Sequence, residues 1–145
     1  MDDVLEIVSK LISNKKILDE YVIISLINAC FGSNNTQTIE KCYNMISSYY
    51  NLNSGISHTF WQSSIEGLLK LNMLSHAHNL LRLYPIKYSY SESLWKKVIL
   101  SNMNNEDLTV VFNILLEKYD TRSNNDDFKA FENIFNIFVE ETANY

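Results

Sequence analysis

Proline and glycine are scarce in this 145-residue sequence, in which Pro85 is the only proline and there are three glycines. Both residues are unfavourable inside helices, where proline costs about 3 kcal/mol and glycine about 1 kcal/mol relative to alanine. No stretch shows the apolar/polar alternation of period two that marks a half-buried strand. The shortage of helix breakers, together with the missing alternation, predicts an all-α fold.

Cysteine is rare as well, and long apolar runs are missing. Cys30 and Cys42 are the only cysteines, and without a visible secretory signal they are expected to be reduced and buried in an intracellular protein. No run approaches the ~18 apolar residues that a membrane helix needs, so we expect no membrane association. The acidic N-terminus, MDDVLEIVSK, shows no targeting pattern. The expected location is therefore the cytoplasm, or the mitochondrion if a presequence has been removed.

Basic residues are outnumbered, with 12 Lys and Arg against 17 Asp and Glu and a net charge of −5. Proteins that bind nucleic acid draw most of their non-specific affinity from a basic patch that neutralises phosphates. The acidic balance therefore disfavours RNA as a ligand, although a local basic stripe is compatible with an acidic total.

Apolar residues recur at helical spacing along the whole chain and predict seven or eight helices. Gly32 is expected to end the second helix, Pro85 to end the fifth, and the capping box SYSE (Ser89 to Glu92) to begin the sixth. The predicted segments are 3–13, 18–31, 36–50, 58–71, 74–84, 89–101, 104 or 105 to 119, and 125 or 126 to the C-terminus.

A repeat of about 35 residues underlies these helices. Isoleucines near the middle of every second helix are separated by 38, 34 and 35 residues, and further positions follow them at fixed offsets of seven and twelve. A period of this length with two helices per unit is typical of helical-hairpin solenoids. We therefore predict one domain over residues 1–145, built of stacked antiparallel hairpins as a short α-solenoid. The positions in register are Ile27, Ile65, Ile99 and Ile134, then Asn34, Asn72 and Glu106, and then Ile39, Ala77 and Val111.

The stretch SSIEGLLKLNMLSHAHNLL, residues 63–81, resembles the pentatricopeptide repeat, which has an apolar pair, a turn residue seven positions later and an alanine in the second helix. SLINACFGSNNTQTIEKCYNM, residues 25–45, is similar. Trp61 and Ala77 also resemble positions of the tetratricopeptide repeat, although Ile65 stands where that family has glycine. The resemblance covers about three quarters of the chain and implies a helical-repeat fold.

Pentatricopeptide proteins read single-stranded RNA with pairs of residues, one base per repeat. By resemblance, these pairs would be Ile24 with Ser57, Gln62 with Ser91, and Lys96 with Asp126. Only Asp126 has the residue type that the family uses at its position, and Ile24 has no group that can hydrogen-bond a base.

No motif in the sequence indicates catalysis, a cofactor or a metal site. His58, His76 and His78 contain no pair spaced by four residues, and the two cysteines form no CxxC. No nucleophile elbow or glycine-rich phosphate loop is present. We therefore predict a protein that is not an enzyme, with histidines in structural or surface roles.

Two groups of residues are candidates for binding a partner. The first mixes aromatic and basic side chains around Pro85, and such a mixture can stack bases or hold a peptide, or can simply pack between hairpins. Its members are Tyr84, Lys87, Tyr88, Tyr90, Trp95, Lys96 and Lys97. The second is the wide apolar band of the last helix, with Phe131, Phe135 and Phe138. In the repeat register this helix lacks its partner, as does the first helix. The chain is therefore expected either to be a piece of a longer repeat array or to dock or homo-oligomerise through its terminal helices.

These observations favour a non-catalytic interaction module that binds a protein partner, such as a scaffold or adaptor subunit. One alternative is a pentatricopeptide-like protein that binds single-stranded RNA. A further alternative, which rests on length and helicity alone, is a compact Bcl-2-like bundle that binds a partner helix.

Overall fold

The computed structural model describes residues 2–16, 18–52, 56–84, 92–119 and 125–143. Within these ranges the chain forms eight helices and no strand, which confirms the all-α prediction. The helices are α1 (Asp2–Ser13), α2 (Glu20–Phe31), α3 (Thr36–Leu52), α4 (His58–Lys70), α5 (Leu74–Leu83), α6 (Glu92–Ser101), α7 (Asn105–Tyr119) and α8 (Asn125–Ala143).

Local capping groups explain where several helices begin. The Asp19 carboxylate accepts a hydrogen bond from the backbone N–H of Tyr21, so α2 begins two residues later than predicted. The Asn35 side chain accepts from the N–H of Thr38 at 3.1 Å. Asn104 caps α7 in the same way, by accepting from the N–H of Asp107 at 2.8 Å. Residues 89–91 of the predicted capping box lie outside the described residues.

The turns rely on left-handed residues other than glycine. Gly32 follows the last residue of α2, as predicted, but its φ is −85°; the left-handed residue is Asn34, two residues later, with φ 58°. Asn72 ends α4 with φ 57°, where the backbone N–H of Met73 donates to the carbonyl of Leu68. Asn34 and Asn72 are the two positions predicted to be equivalent between repeats, and they share this conformation. The third predicted equivalent, Glu106, lies instead inside α7, because α6 ends two residues after Ile99 whereas α4 continues for five residues after Ile65.

The chain divides into two compact units, Met1–Gly67 and Leu68–Tyr145, with the boundary inside α4. In the first unit, α1 and α2 both pack against α3. The carboxylate of Glu20, at the start of α2, accepts hydrogen bonds from the backbone N–H and the hydroxyl of Ser57, the residue before α4. The tyrosine rings of α3 meet the first turn of α4, with 5.2 Å between the ring centroids of Tyr49 and Phe60.

In the second unit, α5 and α6 both pack against α7, and α8 packs against α6 and α7. Trp95, Val98 and Ile99 bury one face of α6, while Leu80 and Leu81 bury one face of α5. The four isoleucines predicted in register, Ile27, Ile65, Ile99 and Ile134, are at most 2% exposed. The prediction of a single domain over residues 1–145 stays a prediction.

Candidate interaction groove

An apolar groove lies between α7 and α8 in the second unit. Its cavity has a volume of about 600 Å³. The lining consists of apolar side chains and two threonines, contributed at helical spacing by one face of each helix. These residues are Leu108, Thr109 and Phe112 from α7, and Phe135, Phe138, Val139, Thr142 and Ala143 from α8.

Phenylalanine rings from both helices meet at this groove. Phe112 of α7 lies 5.2 Å from Phe138 and 6.0 Å from Phe135, measured between ring centroids, and both pairs are tilted. Phe131 extends the row along α8, stacked at 6.0 Å on Phe135. These distances fall within the range of favourable aromatic pairs. All four rings are only half-buried, and Val139 beside them is 47% exposed. The rings therefore hold the two helices together and leave apolar surface open to solvent.

Acidic side chains flank this apolar lining. Glu132 precedes Phe135 by three residues and Val139 by seven, a spacing that places it on the groove side of α8. Glu106 precedes Thr109 by three residues on α7, and both glutamates are exposed. On the side of α8 that faces α6, Glu141 forms an ion pair with Lys96 at 3.5 Å.

Two aromatic members of the predicted aromatic-basic patch are buried. Trp95 is 0% exposed and Tyr84 is 1% exposed, so these two rings pack in the core and offer no surface to a partner. Lys96 and Lys97 are exposed on α6. Lys87, Tyr88 and Tyr90 lie outside the described residues. Trp95 is buried because it shares the inward-facing side of α6 with Val98 and Ile99.

Lys118 of α7 plays a structural role that the sequence did not indicate. Its ammonium Nζ donates to the carbonyl oxygens of Tyr84 and, at 3.4 Å, of Arg82 at the end of α5. It also lies 5.8 Å from the centroid of the Tyr84 ring. Burial lowers the pKa of Lys118 to about 8, against the opposing attraction of Glu117. The side chain thus closes the C-terminus of α5 from a position more than 30 residues away in sequence.

His78 has a buried partner, in agreement with a structural role. Its Nε2 lies 2.7 Å from Oδ1 of Asn102, whose Nδ2 donates to the carbonyl of Val98 at 2.6 Å. Because the amide nitrogen is already a donor, Oδ1 must be the acceptor, and the proton lies on Nε2 of His78. His78 and Asn102 thereby connect α5 to the turn that follows α6.

The two cysteines form no disulfide and are fully buried, on α2 and α3 of the first unit. A hydrogen bond with Cys30 and burial of the thiol both raise the pKa of Cys42 well above its ordinary value. A thiol that resists ionisation is a poor nucleophile and a poor metal ligand. Among the residues the structure describes, no group of three potential metal ligands comes together.

Three of the residues that the pentatricopeptide resemblance implies in RNA reading are bonded to glutamates of the same chain. The Ser57 hydroxyl is bonded to Glu20, and the Gln62 amide donates to Glu66 at 3.2 Å. Lys96 is paired with Glu141. Nothing in the described structure bears on the side chains of the other two partners, Ser91 and Asp126.

The groove contains some of the predicted binding residues and several that were not predicted, and their binding to a partner stays a prediction. Phe131, Phe135 and Phe138 were predicted as binding residues and lie at the groove or beside it. Phe112 and Leu108 on α7 were not predicted, because their spacing is that of ordinary core positions.

No helix in the described part of the chain is both long and apolar enough to cross a bilayer. Comparisons with family models, with curated proteins and with solved structures gave no match for this chain.

Proposed function

We propose that this protein is a non-catalytic helical-repeat module that binds a protein partner through the groove between α7 and α8. The observation that carries this proposal is the half-exposed row of phenylalanines, which leaves a contiguous apolar surface on a folded unit. Large exposed apolar patches mark interaction surfaces, and aromatic side chains dominate the energetics of such surfaces. An adaptor or scaffold subunit would use a surface of this kind.

A hairpin arrangement resembling pentatricopeptide or tetratricopeptide repeats is part of the proposal for each unit. It is supported by the recurrence of one packing relation, in which α3 contacts α1 and α2, and α7 contacts α5 and α6. The left-handed Asn34 and Asn72 at corresponding turns add to it. Repeat proteins expose extended surfaces for binding because each repeat contacts only its neighbours.

The two alternatives have less support. Coded RNA reading would require Ser57 and Gln62 to face a base, whereas both are bonded to glutamates of the same chain. A compact Bcl-2-like bundle would place one helix at its centre, yet each of the eight helices has exposed side chains among its described residues.

A matched pair of valine variants tests the proposal. Val139 in the groove and Val22 on α2 are both 47% exposed, so Val139→Gln and Val22→Gln make the same change at the same degree of exposure. Each tagged variant, with the wild-type chain, is used to capture proteins from cells of the source organism. Captured proteins are identified by mass spectrometry, expressed, and titrated calorimetrically.

We expect at least one purified partner to bind wild type and Val22→Gln alike, and to bind Val139→Gln at least tenfold more weakly. Phe138→Ser, which also lies in the groove, should reproduce the loss. Circular dichroism confirms that each variant is folded. A partner that binds all variants equally would show that the groove is not the binding surface.

A further inference from the structure

The way that helices pack on one another in this fold suggests what could occupy the α7–α8 groove. Two helices predicted to be the second of a hairpin each pack against the two helices before them: α3 against α1 and α2, and α7 against α5 and α6. A helix seated on both α7 and α8 would continue that relation. The phenylalanine row and Val139 provide the apolar contacts that such a helix requires.

Charge selects among the helices that could bind there. The exposed charged residues among the described side chains of α7 and α8 are mostly acidic, namely Glu106, Glu117, Glu132 and Glu140 against Lys129. Lys118, the other lysine of α7, is directed to the carbonyls at the end of α5. A helix with acidic flanks would meet like charges at Glu106 and Glu132, whereas one with basic flanks would find complementary ones.

A second copy of this chain is a poor occupant for the same reason. Its α1 has an exposed apolar stripe that includes Val4 and Ile7, which are 49% and 60% exposed. However, Asp3 and Glu6 border that stripe, and Lys10 is already paired with Glu6 at 3.5 Å. Docking α1 of another copy would bring acidic side chains onto an acidic rim.

We infer that the groove between α7 and α8 binds an amphipathic helix of a partner protein whose apolar stripe is flanked by lysine or arginine. This inference rests on the proposed function and specifies its partner. The apolar stripe packs on Phe112, Phe135, Phe138 and Val139, and the basic side chains face Glu132 and Glu106. Apolar burial supplies affinity, while the acidic rim supplies selectivity and salt dependence.

Two synthetic peptides test the inference directly on the full chain. Both are 18-residue helices with leucines at positions i, i+3, i+4 and i+7; one has lysines beside the leucines and the other has glutamates at the same places. Binding is measured by fluorescence anisotropy at low and at physiological salt. We expect the lysine peptide to bind at least tenfold more tightly than the glutamate peptide, with a preference that shrinks as salt is added.

Charge-reversal variants identify the site. Glu132→Lys should weaken the lysine peptide about fivefold or more and strengthen the glutamate peptide. Glu6→Lys, on α1 in the first unit, alters the net charge by the same amount and should leave both affinities within twofold. Val139→Gln and Phe138→Ser, which keep the charge, should weaken both peptides.

Several results would overturn the inference. Equal affinities for the two peptides would remove the charge selection, even if Val139→Gln weakened both and the groove remained a binding surface. If Glu6→Lys and Glu132→Lys had equal effects, the preference for the lysine peptide would come from the net charge of the chain and not from the groove. Wild-type self-association that is abolished by Val139→Gln, measured by sedimentation velocity, would assign the groove to a second copy. Failure to bind either peptide would exclude a generic basic helix as the ligand, while the natural-partner titration would still decide the proposed function.

Discussion

Replacing Gly67 by alanine sets two opposite effects against each other at the contact between α2 and α4. Gly67 lies in the last turn of α4, and a Cβ built on its backbone would lie 2.8 Å from Cε2 and 3.2 Å from Cγ of Phe31, and closer still to Cδ2. Phe31 ends α2 and is 7% exposed. The added methyl group therefore meets the root of a buried ring, which can move away only by changing its rotamer or by shifting the helix.

The two effects have comparable magnitudes but different signs. Helix propensity alone predicts that alanine stabilises α4 by about 1 kcal/mol relative to glycine. Inserting a methyl group into a packed contact costs about 1–3 kcal/mol. Because Cγ cannot move without χ1, we place the cost near the upper end. The expected net change for Gly67→Ala is a destabilisation of about 1–2 kcal/mol.

A double-mutant cycle separates these effects. Unfolding by urea is followed by circular dichroism for wild type, Gly67→Ala, Phe31→Ala and the double variant. Once the ring is absent, only the propensity effect remains, so Gly67→Ala should stabilise the Phe31→Ala background by about 1 kcal/mol. Phe31→Leu replaces Phe31→Ala if the loss of the ring, expected to cost about 3–5 kcal/mol, leaves too little folded protein.

The sign of the stability change that Gly67→Ala causes, with and without the Phe31 ring, tests whether the ring packs on Gly67. If Gly67→Ala stabilises both backgrounds equally, then the Phe31 ring does not pack on Gly67, and the approach of α2 to α4 is looser than the structure shows. Equal destabilisation of both would point to an obstacle other than the ring.

Three further predictions concern single side chains of the described structure. The pKa of Lys118 is about 8 in the fold and 10.5 for an unperturbed lysine, so the unfolded chain binds more protons between these values. The free energy of unfolding should therefore rise by about 2 kcal/mol from pH 7 to pH 9.5. Urea unfolding should show this rise for wild type relative to Lys118→Met. A difference between the two proteins that stays constant with pH would contradict the prediction. Lys15 has φ 59°, so Lys15→Gly should stabilise by about 1 kcal/mol, whereas Lys16→Gly next to it should not; thermal unfolding of both variants checks this. Asn102→Ala leaves the buried His78 Nε2–H without its acceptor and should cost about 1–3 kcal/mol in urea unfolding, and a change under 0.5 kcal/mol would argue against that bond.

The sequence predicted helix boundaries well because their signals are local. A cap acts on groups two or three residues away, as Asn35 does on Thr38 and Asn104 on Asp107. Six of the eight predicted starts agree with the observed ones to within a residue; α2 begins two residues later, and α6 begins at Glu92, next to residues outside the described part. Repeat spacing likewise identified the positions that are buried, such as Ile27, Ile65 and Ile99.

The sequence could not predict which element covers the apolar face of each helix. Phe112 and Trp95 both occupy apolar positions of helices, yet one borders an open groove and the other is fully buried. Periodicity gives the face on which a side chain lies, but not the element that covers that face. For this reason the predicted aromatic-basic patch included Tyr84 and Trp95, two rings that the structure buries.

By itself, then, the sequence determined the all-α class, the helix ends and the inward positions, since these depend on residues within one or two turns of each other. Only the tertiary structure decided that Lys118 closes α5, that Glu20 binds Ser57, and that a row of phenylalanines is left uncovered between α7 and α8. Such contacts join residues far apart in the chain, and their formation depends on how whole helices pack, which no local pattern records.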